Sequence, residues 1–206
     1  MSRSLTSPLL TLGLLLLATA IAGTARAEFQ SNPPDVLPDN PFPVVVFETS
    51  LGTVEVELDR RRAPATVNNF LAYAVAGDFD NTIFHRVIQD FVVQGGGFKE
   101  GWVEVTTRAP VMNESGNGLR NDAGTIAMAR YEDPHSATSQ FFFNVADNNR
   151  ALDPNPKHWG YTVFGLVIAG QDVLDSIAAV PTGYHAEMDY QDVPLTPVKL
   201  IKVSVQ

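Results

Sequence analysis

The segment Phe84 to Phe98, FHRVIQDFVVQGGGF, sets the guanidinium of Arg86 and the amide of Gln94 eight positions apart among aromatic and aliphatic side chains. It holds no serine, no cysteine and no pair of neighbouring carboxylates. The whole chain lacks cysteine, which excludes thiol catalysis and thiolate metal sites. Ser115, in NESGNG, sits in a loop pattern and not in the Gly-x-Ser-x-Gly elbow of a serine hydrolase. His85, His135, His158 and His185 are scattered singly, so no metal site is expected. QGGGF is glycine-rich but lacks the Gly-Lys-Ser/Thr ending of a phosphate loop; it reads as a bend where backbones pack closely.

A site with neither nucleophile nor general base suits one reaction class, rotation about the peptide bond before proline. The barrier, roughly 20 kcal/mol, comes from partial double-bond character in the amide C–N bond. Twisting breaks that conjugation and returns a lone pair to the proline nitrogen. A fixed cation donating N–H to this nitrogen stabilises the twisted form more than either planar one. Arginine suits that role because it stays charged at all ordinary pH. An apolar cup would hold the pyrrolidine ring while the preceding carbonyl swings.

These residues must be positioned by the elements around them. VVVFETS and TVEVEL flank Leu51-Gly52, and the alternation of the second predicts two strands joined by a tight turn. APATVNNFLAYAVAG carries Pro64 near its start and Gly77 past its end. Val67, Phe70, Leu71, Ala74 and Val75 fall at helical spacing, which predicts an amphipathic helix. TIFHRVI, FVVQGG, GTIAMAR, SQFFFNV and YTVFGLVI are strand-like, QDVLDSIAAV predicts a second helix, and VKLIKVSV a closing strand. Many short strands with two helices predict a mostly antiparallel sheet closed into a barrel, the helices covering its open ends. In SQFFFN, alternation sends Phe141 and Phe143 to one face and Phe142 to the other, so one set fills a core and the other can line a groove.

Residues 1–27 read as a secretory signal peptide. Arg3 supplies the positive start, Leu9 to Gly23 an apolar run, and Ala25-Arg26-Ala27 the small-residue cleavage site, with cleavage predicted after Ala27. A bacterial periplasm is the expected compartment, with no stable membrane association after cleavage. The remaining chain would carry 12 basic and 23 acidic side chains, a net charge of −11. Such a surface repels phosphate backbones, so nucleic acid is not an expected partner. Residues 28–43 hold five prolines and predict an extended, mobile arm. One domain is expected over 44–206.

FHRVIQDFVVQGGGF, GTIAMAR, SATSQFFFN and YTVFG, in that order, resemble the signature segments of the cyclophilin family of peptidyl-prolyl cis-trans isomerases. NGLRND and FFFNVADN resemble especially its periplasmic bacterial members. The resemblance implies a mostly β fold, a closed eight-stranded antiparallel barrel capped by two helices, with the active groove on its outer face. It implies that Arg86 is the catalytic arginine, that Gln94 contacts substrate backbone, and that Phe91 and Phe142 line the proline pocket. Leu152 takes the aliphatic wall, and Val92 stands where the family usually has methionine. Ala129 and Arg130 form the adjacent rim, where backbone groups pair with an extended peptide, and Gln140 borders the pocket for the preceding residue. Proline-containing peptides and unfolded exported proteins are the implied partners of a monomer, and no cofactor is implied.

Two positions depart from the common pattern. Ala151 stands where the family has a large aromatic ring, and Tyr161, counted with the substrate-binding residues, where many relatives have histidine. Loss of that ring costs a bulky ligand roughly 1–3 kcal/mol of apolar contact, so weak binding of cyclosporin, the family's cyclic peptide inhibitor, is expected. Trp159 is a candidate to swing into the gap. His85 reads as a buried structural histidine, so activity should stay nearly flat through neutral pH. Two other classes compete with an active isomerase. A non-catalytic binder using the same groove would not need Arg86. A lipocalin-type carrier would need a hollow lumen, which Phe70, Phe84 and Phe164 should fill.

Overall fold

The computed structural model describes residues 36–206. The predicted signal peptide and the first part of the arm lie outside the described residues. β1 (Val44–Thr49) and β2 (Gly52–Leu58) pair antiparallel through a tight turn at Ser50-Leu51, as the alternation predicts. α1 (Pro64–Ala76) starts at its proline and stops at Gly77, whose φ of 71° is the left-handed geometry glycine accepts most readily. The helix is buried continuously from Thr66 to Ala74, whereas Val75, expected on the apolar stripe, is mostly exposed. Packed among strands and loops on most sides, α1 has little need of a polar face.

The predicted strand TIFHRVI is split at His85 into β3 (Thr82–Phe84) and β4 (Arg86–Ile88). β5 (Val92–Gly95), β6 (Phe98–Lys99), β7 (Val103–Glu104), β8 (Thr125–Met128) and β9 (Phe141–Asn144) follow. Then come α2 (Asn149–Leu152), β10 (Val163–Ala169), α3 (Gln171–Ala178), β11 (Thr182–His185), β12 (Tyr190–Pro194) and β13 (Val198–Val205). Eleven strands form one antiparallel sheet in the order β4-β5-β9-β8-β10-β2-β1-β13-β3-β6-β7, and β11-β12 form a separate ribbon. The fold is thus mostly β, a curled antiparallel sheet with few helices; the hydrogen-bonded order is eleven strands long rather than a ring of eight. A third helix joins the two expected, because α2 is a single turn, too short to show a helical period. β6, β7, β11 and β12 were equally invisible as patterns, being short and without clean alternation.

The concave side is filled by phenylalanines. The Phe70 ring lies 5.0 Å from Phe79, 5.4 Å from Phe164, 5.6 Å from Phe141 and 5.9 Å from Phe47, all fully buried. Truncating a ring so enclosed costs about 3–5 kcal/mol. This packing leaves the interior to side chains and not to a carried ligand. Residues 36–43 depart from the expected extended arm. They make bends, and Arg60 ties them to the body by donating to the carbonyls of Val36, Leu37 and Asn40 while its Nε donates to Asn68.

Candidate active site

The register brings the predicted residues into one row across the outer face. Arg86 on β4 pairs with Gln94 on β5, Gln94 with Phe142 on β9, Phe142 with Ala127 on β8, and Ala127 with Val163 on β10. Because side chains alternate along a strand, Val87, Val93, Phe141 and Phe143 point inward and are buried in the main core. Val92, Ala127, Phe142 and Val163 form a second buried apolar cluster outside that core, with Phe91, Leu119, Ala129, Leu152 and Tyr161 packed on it. An outward cleft of about 290 Å³ opens over this cluster. Arg86, Phe91, Val92, Gln94, Ala129, Arg130, Phe142, Leu152 and Tyr161 line it, so nine of the ten predicted residues meet there. The tenth, Gln140, accepts a hydrogen bond from Gln94 Nε2 at 2.9 Å. With Gln94, Ala129, Arg130, Tyr131, Ser136, Thr138 and Tyr190, it borders a neighbouring hollow of about 120 Å³.

Arg86 is about one-third exposed, with its guanidinium held at two places. Nη1 donates to Gln94 Oε1 at 3.5 Å, and Nε lies 3.8 Å from Asp192 Oδ2 on β12. Both partners are loose and partly solvated, so each contributes below about 1 kcal/mol to stability. The cleft therefore contains a charged donor beside an apolar cup, with no nucleophile touching it.

The cup is braced from behind. Phe91 follows Asp90, which is left-handed at φ 58°, and its carbonyl accepts from Val145 N at 3.0 Å and Asn148 Nδ2 at 2.7 Å. Asn148 also donates to Asn144, and Asn144 to Asn121 and Thr125. Leu152 ends α2 and takes the Tyr161 N–H at 3.0 Å, which folds the 153–160 loop beside the cleft. The Tyr161 ring stands edge-on to Phe142 at 5.6 Å, with the Arg130 guanidinium 4.7 Å over it. Arg130 further donates to the carbonyls of Gly160 and Tyr131, so its side chain buttresses Tyr161. The Ala129 N–H is already committed to the Gln140 carbonyl at 2.9 Å, which removes it from the groups expected to pair with a peptide.

QGGGF is the predicted close bend. Gly96 has φ 76°, and a Cβ there would stand 2.7 Å from the Ser139 carbonyl; at Gly97 it would meet the Gln140 side chain at 2.8 Å. Ala151 is exposed on α2 beside Leu152. Trp159 does not fill the gap: it is mostly exposed, stands 5.2 Å from His135, and is absent from the cleft lining. Its backbone carbonyl is held by the Ser115 hydroxyl, which fixes the loop in that position.

His85 is fully buried, and burial pushes its pKa down to about 4, against a smaller upward pull from the Gln140 side chain. Neither ring nitrogen has a partner at hydrogen-bonding geometry, so that pull is weak and the ring stays neutral at pH 7. It acts as packing, edge-to-face with Phe98 at 5.0 Å. Among the described residues no three His, Asp or Glu side chains converge as metal ligands. Sequence reasoning missed the Asn121, Asn144 and Asn148 network, Tyr190 in the adjacent hollow, and Asp192 beside Arg86. The i, i+4 spacing of Asn144 and Asn148 was a usable signal; nothing local pointed to the β11–β12 residues.

A family model for the cyclophilin type peptidyl-prolyl cis-trans isomerases matches residues 44–205. The chain is 53% identical over 156 residues to the peptidyl-prolyl cis-trans isomerase cyp18 of Streptomyces antibioticus, covering 75% of this chain and 93% of that protein. It is 46% identical over 164 residues to the peptidyl-prolyl cis-trans isomerase B of Escherichia coli, covering 79% and 99%. Among solved structures, a cyclophilin type peptidyl-prolyl cis-trans isomerase of Cryptosporidium parvum superposes with a TM-score of 0.68 at 24% identity, covering 80% of this chain and 98% of that one.

Proposed function

The chain belongs to the cyclophilin-type peptidyl-prolyl cis-trans isomerases and is an enzyme of that kind; on that premise we propose that Arg86 is its catalytic group. The observation that carries the assignment is a guanidinium at the mouth of an outward apolar cleft lined by Phe91, Val92, Phe142, Leu152 and Tyr161. The proline ring enters this cup, Gln94 contacts the substrate backbone, and Arg86 donates to the imide nitrogen as conjugation is lost. The donor is charged before the reaction starts and needs no proton transfer, so rotation consumes nothing. The substrate is a proline-containing peptide. Unfolded exported proteins are the clients we assign, acted on in a periplasm after removal of residues 1–27, by a monomer that binds cyclosporin weakly.

The same premise bears on the barrel. β3 and β4 are separated by His85 alone, and His85 N donates to the Gln94 carbonyl on β5. Counting them as one bent strand that links β13 to β5 supports reading the sheet as a barrel of eight, β3/β4-β5-β9-β8-β10-β2-β1-β13.

The test compares wild type with Arg86→Ala in NMR exchange or protease-coupled isomerisation of an Ala-Pro peptide. The expected loss is two to four powers of ten, equivalent to roughly 3–5 kcal/mol of transition-state stabilisation. Since Arg86 lies outside both apolar clusters, the variant should keep its denaturation midpoint. A folded variant with full rate would remove the assignment; peptide binding with no turnover in wild type would favour the non-catalytic binder.

A further inference from the structure

The β11–β12 ribbon is outside the main sheet, yet β12 packs against β4 and its Tyr190 borders the hollow beside the cleft. Its register explains how. Gly183 faces Val193 and His185 faces Tyr190, so two residues, Gln191 and Asp192, stand opposite Tyr184 alone. This is a β-bulge, a device that re-aims a side chain by adding one residue to one strand. Asp192 itself adopts φ 61°, a left-handed conformation uncommon for a residue with a side chain. The result is a carboxylate turned toward Arg86 Nε, at 3.8 Å.

The ribbon is anchored independently of that contact. Trp102 stacks 4.7 Å from His185 and 5.6 Å from Tyr190, and Tyr190 lies 5.9 Å from Phe98 and 6.2 Å from His85. These rings hold the ribbon against His85, the residue that precedes Arg86 at the start of β4. The guanidinium is thereby gripped on one side by Asp192 and on the other by Gln94 Oε1. Of its nitrogens, Nη2 makes neither contact.

We propose that Asp192, presented by the β12 bulge, is a positioning residue that fixes the Arg86 guanidinium for its transition-state contact. This rests on the assignment of Arg86 above. A partly solvated arginine samples many rotamers, and a displacement of about 1 Å at a reacting group is enough to cost rate. A carboxylate on the Nε edge narrows that sampling without blocking the end nitrogens. Because the pair is solvated, added salt should weaken the grip.

Asp192→Asn tests this, since asparagine tolerates the left-handed backbone and removes only the charge. The expected result on an Ala-Pro peptide is a fall in kcat of about three- to tenfold with KM nearly unchanged, because the ring still sits in the same cup. Wild-type kcat should decline with added salt while the variant stays level. The order parameter of the Arg86 Nε–H bond, read by nitrogen relaxation, should drop in the variant. In an Arg86→Ala background, Asp192→Asn should cause no further loss. An unchanged or raised kcat, or the same fold loss in both backgrounds, would overturn the proposal. Should Arg86→Ala alone keep full rate, the assignment of Arg86 fails instead, and the two failures are distinguishable.

Discussion

At the scale of single residues, the cleft sets two kinds of surface side by side. Phe91, Phe142, Leu152 and Tyr161 offer apolar area, and Arg86 a guanidinium next to it. Ala151 marks the limit of the cup. It is exposed on α2, and Trp159, eight positions on, is occupied with His135 instead. Restoring a ring should therefore extend the apolar surface toward a bulky ligand. We expect Ala151→Trp to tighten cyclosporin binding about tenfold to a hundredfold in calorimetric or fluorescence titration, in line with 1–3 kcal/mol of contact. No change in affinity would mean that position 151 does not face the ligand.

At the scale of elements, long-range side chains finish what local pattern starts. α1 has no capping side chain of its own at Ala63, and its free amides are met by Glu114 from a distant loop. The Ala65 N–H donates to Oε1 at 3.1 Å and the Thr66 N–H to Oε2 at 2.9 Å. Carboxylate at a helix N-terminus is favoured both by the hydrogen bonds and by the helix dipole. Glu114 N in turn donates to the Thr162 hydroxyl, next to Tyr161, so the cap also links α1 to the cleft. Glu114→Ala should cost about 1 kcal/mol and lower the thermal midpoint by about 2–4 °C. Retention of the wild-type midpoint in scanning calorimetry would show the cap to be idle.

At the scale of the whole molecule, stability and activity should respond to pH differently. His85 is buried and neutral, with its pKa depressed from 6.5 to about 4. The unfolded chain takes up this proton near 6.5 and the folded chain only near 4. Acidification across that window therefore favours the unfolded chain, by up to roughly 3 kcal/mol, and the effect levels off below pH 4. Denaturation midpoints from pH 7 to 4 should fall in wild type and fall less in His85→Gln. Over pH 6 to 8 the isomerisation rate should stay flat, because the proposed mechanism moves no proton and His85 is not a base. A bell-shaped rate profile centred near 6–7 would contradict both readings.

Residue type and period marked much of the frame, while the site residues were named from the resemblance of ordered segments to the cyclophilin family. The absence of thiols and of a serine elbow narrowed the reaction, and nine of the ten residues named for the site line one cleft. The two-residue alternation in SQFFFN separated Phe141 and Phe143 from Phe142, and the fold buries the first two in the core and puts Phe142 in the cleft. Such periods are local, so a sequence displays them directly. The contact between Asp192 and Arg86, the capture of residues 36–43 by Arg60, and the Glu114 cap had no local signature. Each joins segments distant in the chain. They meet only because the sheet curls, a bulge adds one residue to β12, and left-handed positions redirect the backbone. Those are properties of the packed molecule, set by the balance of many contacts at once.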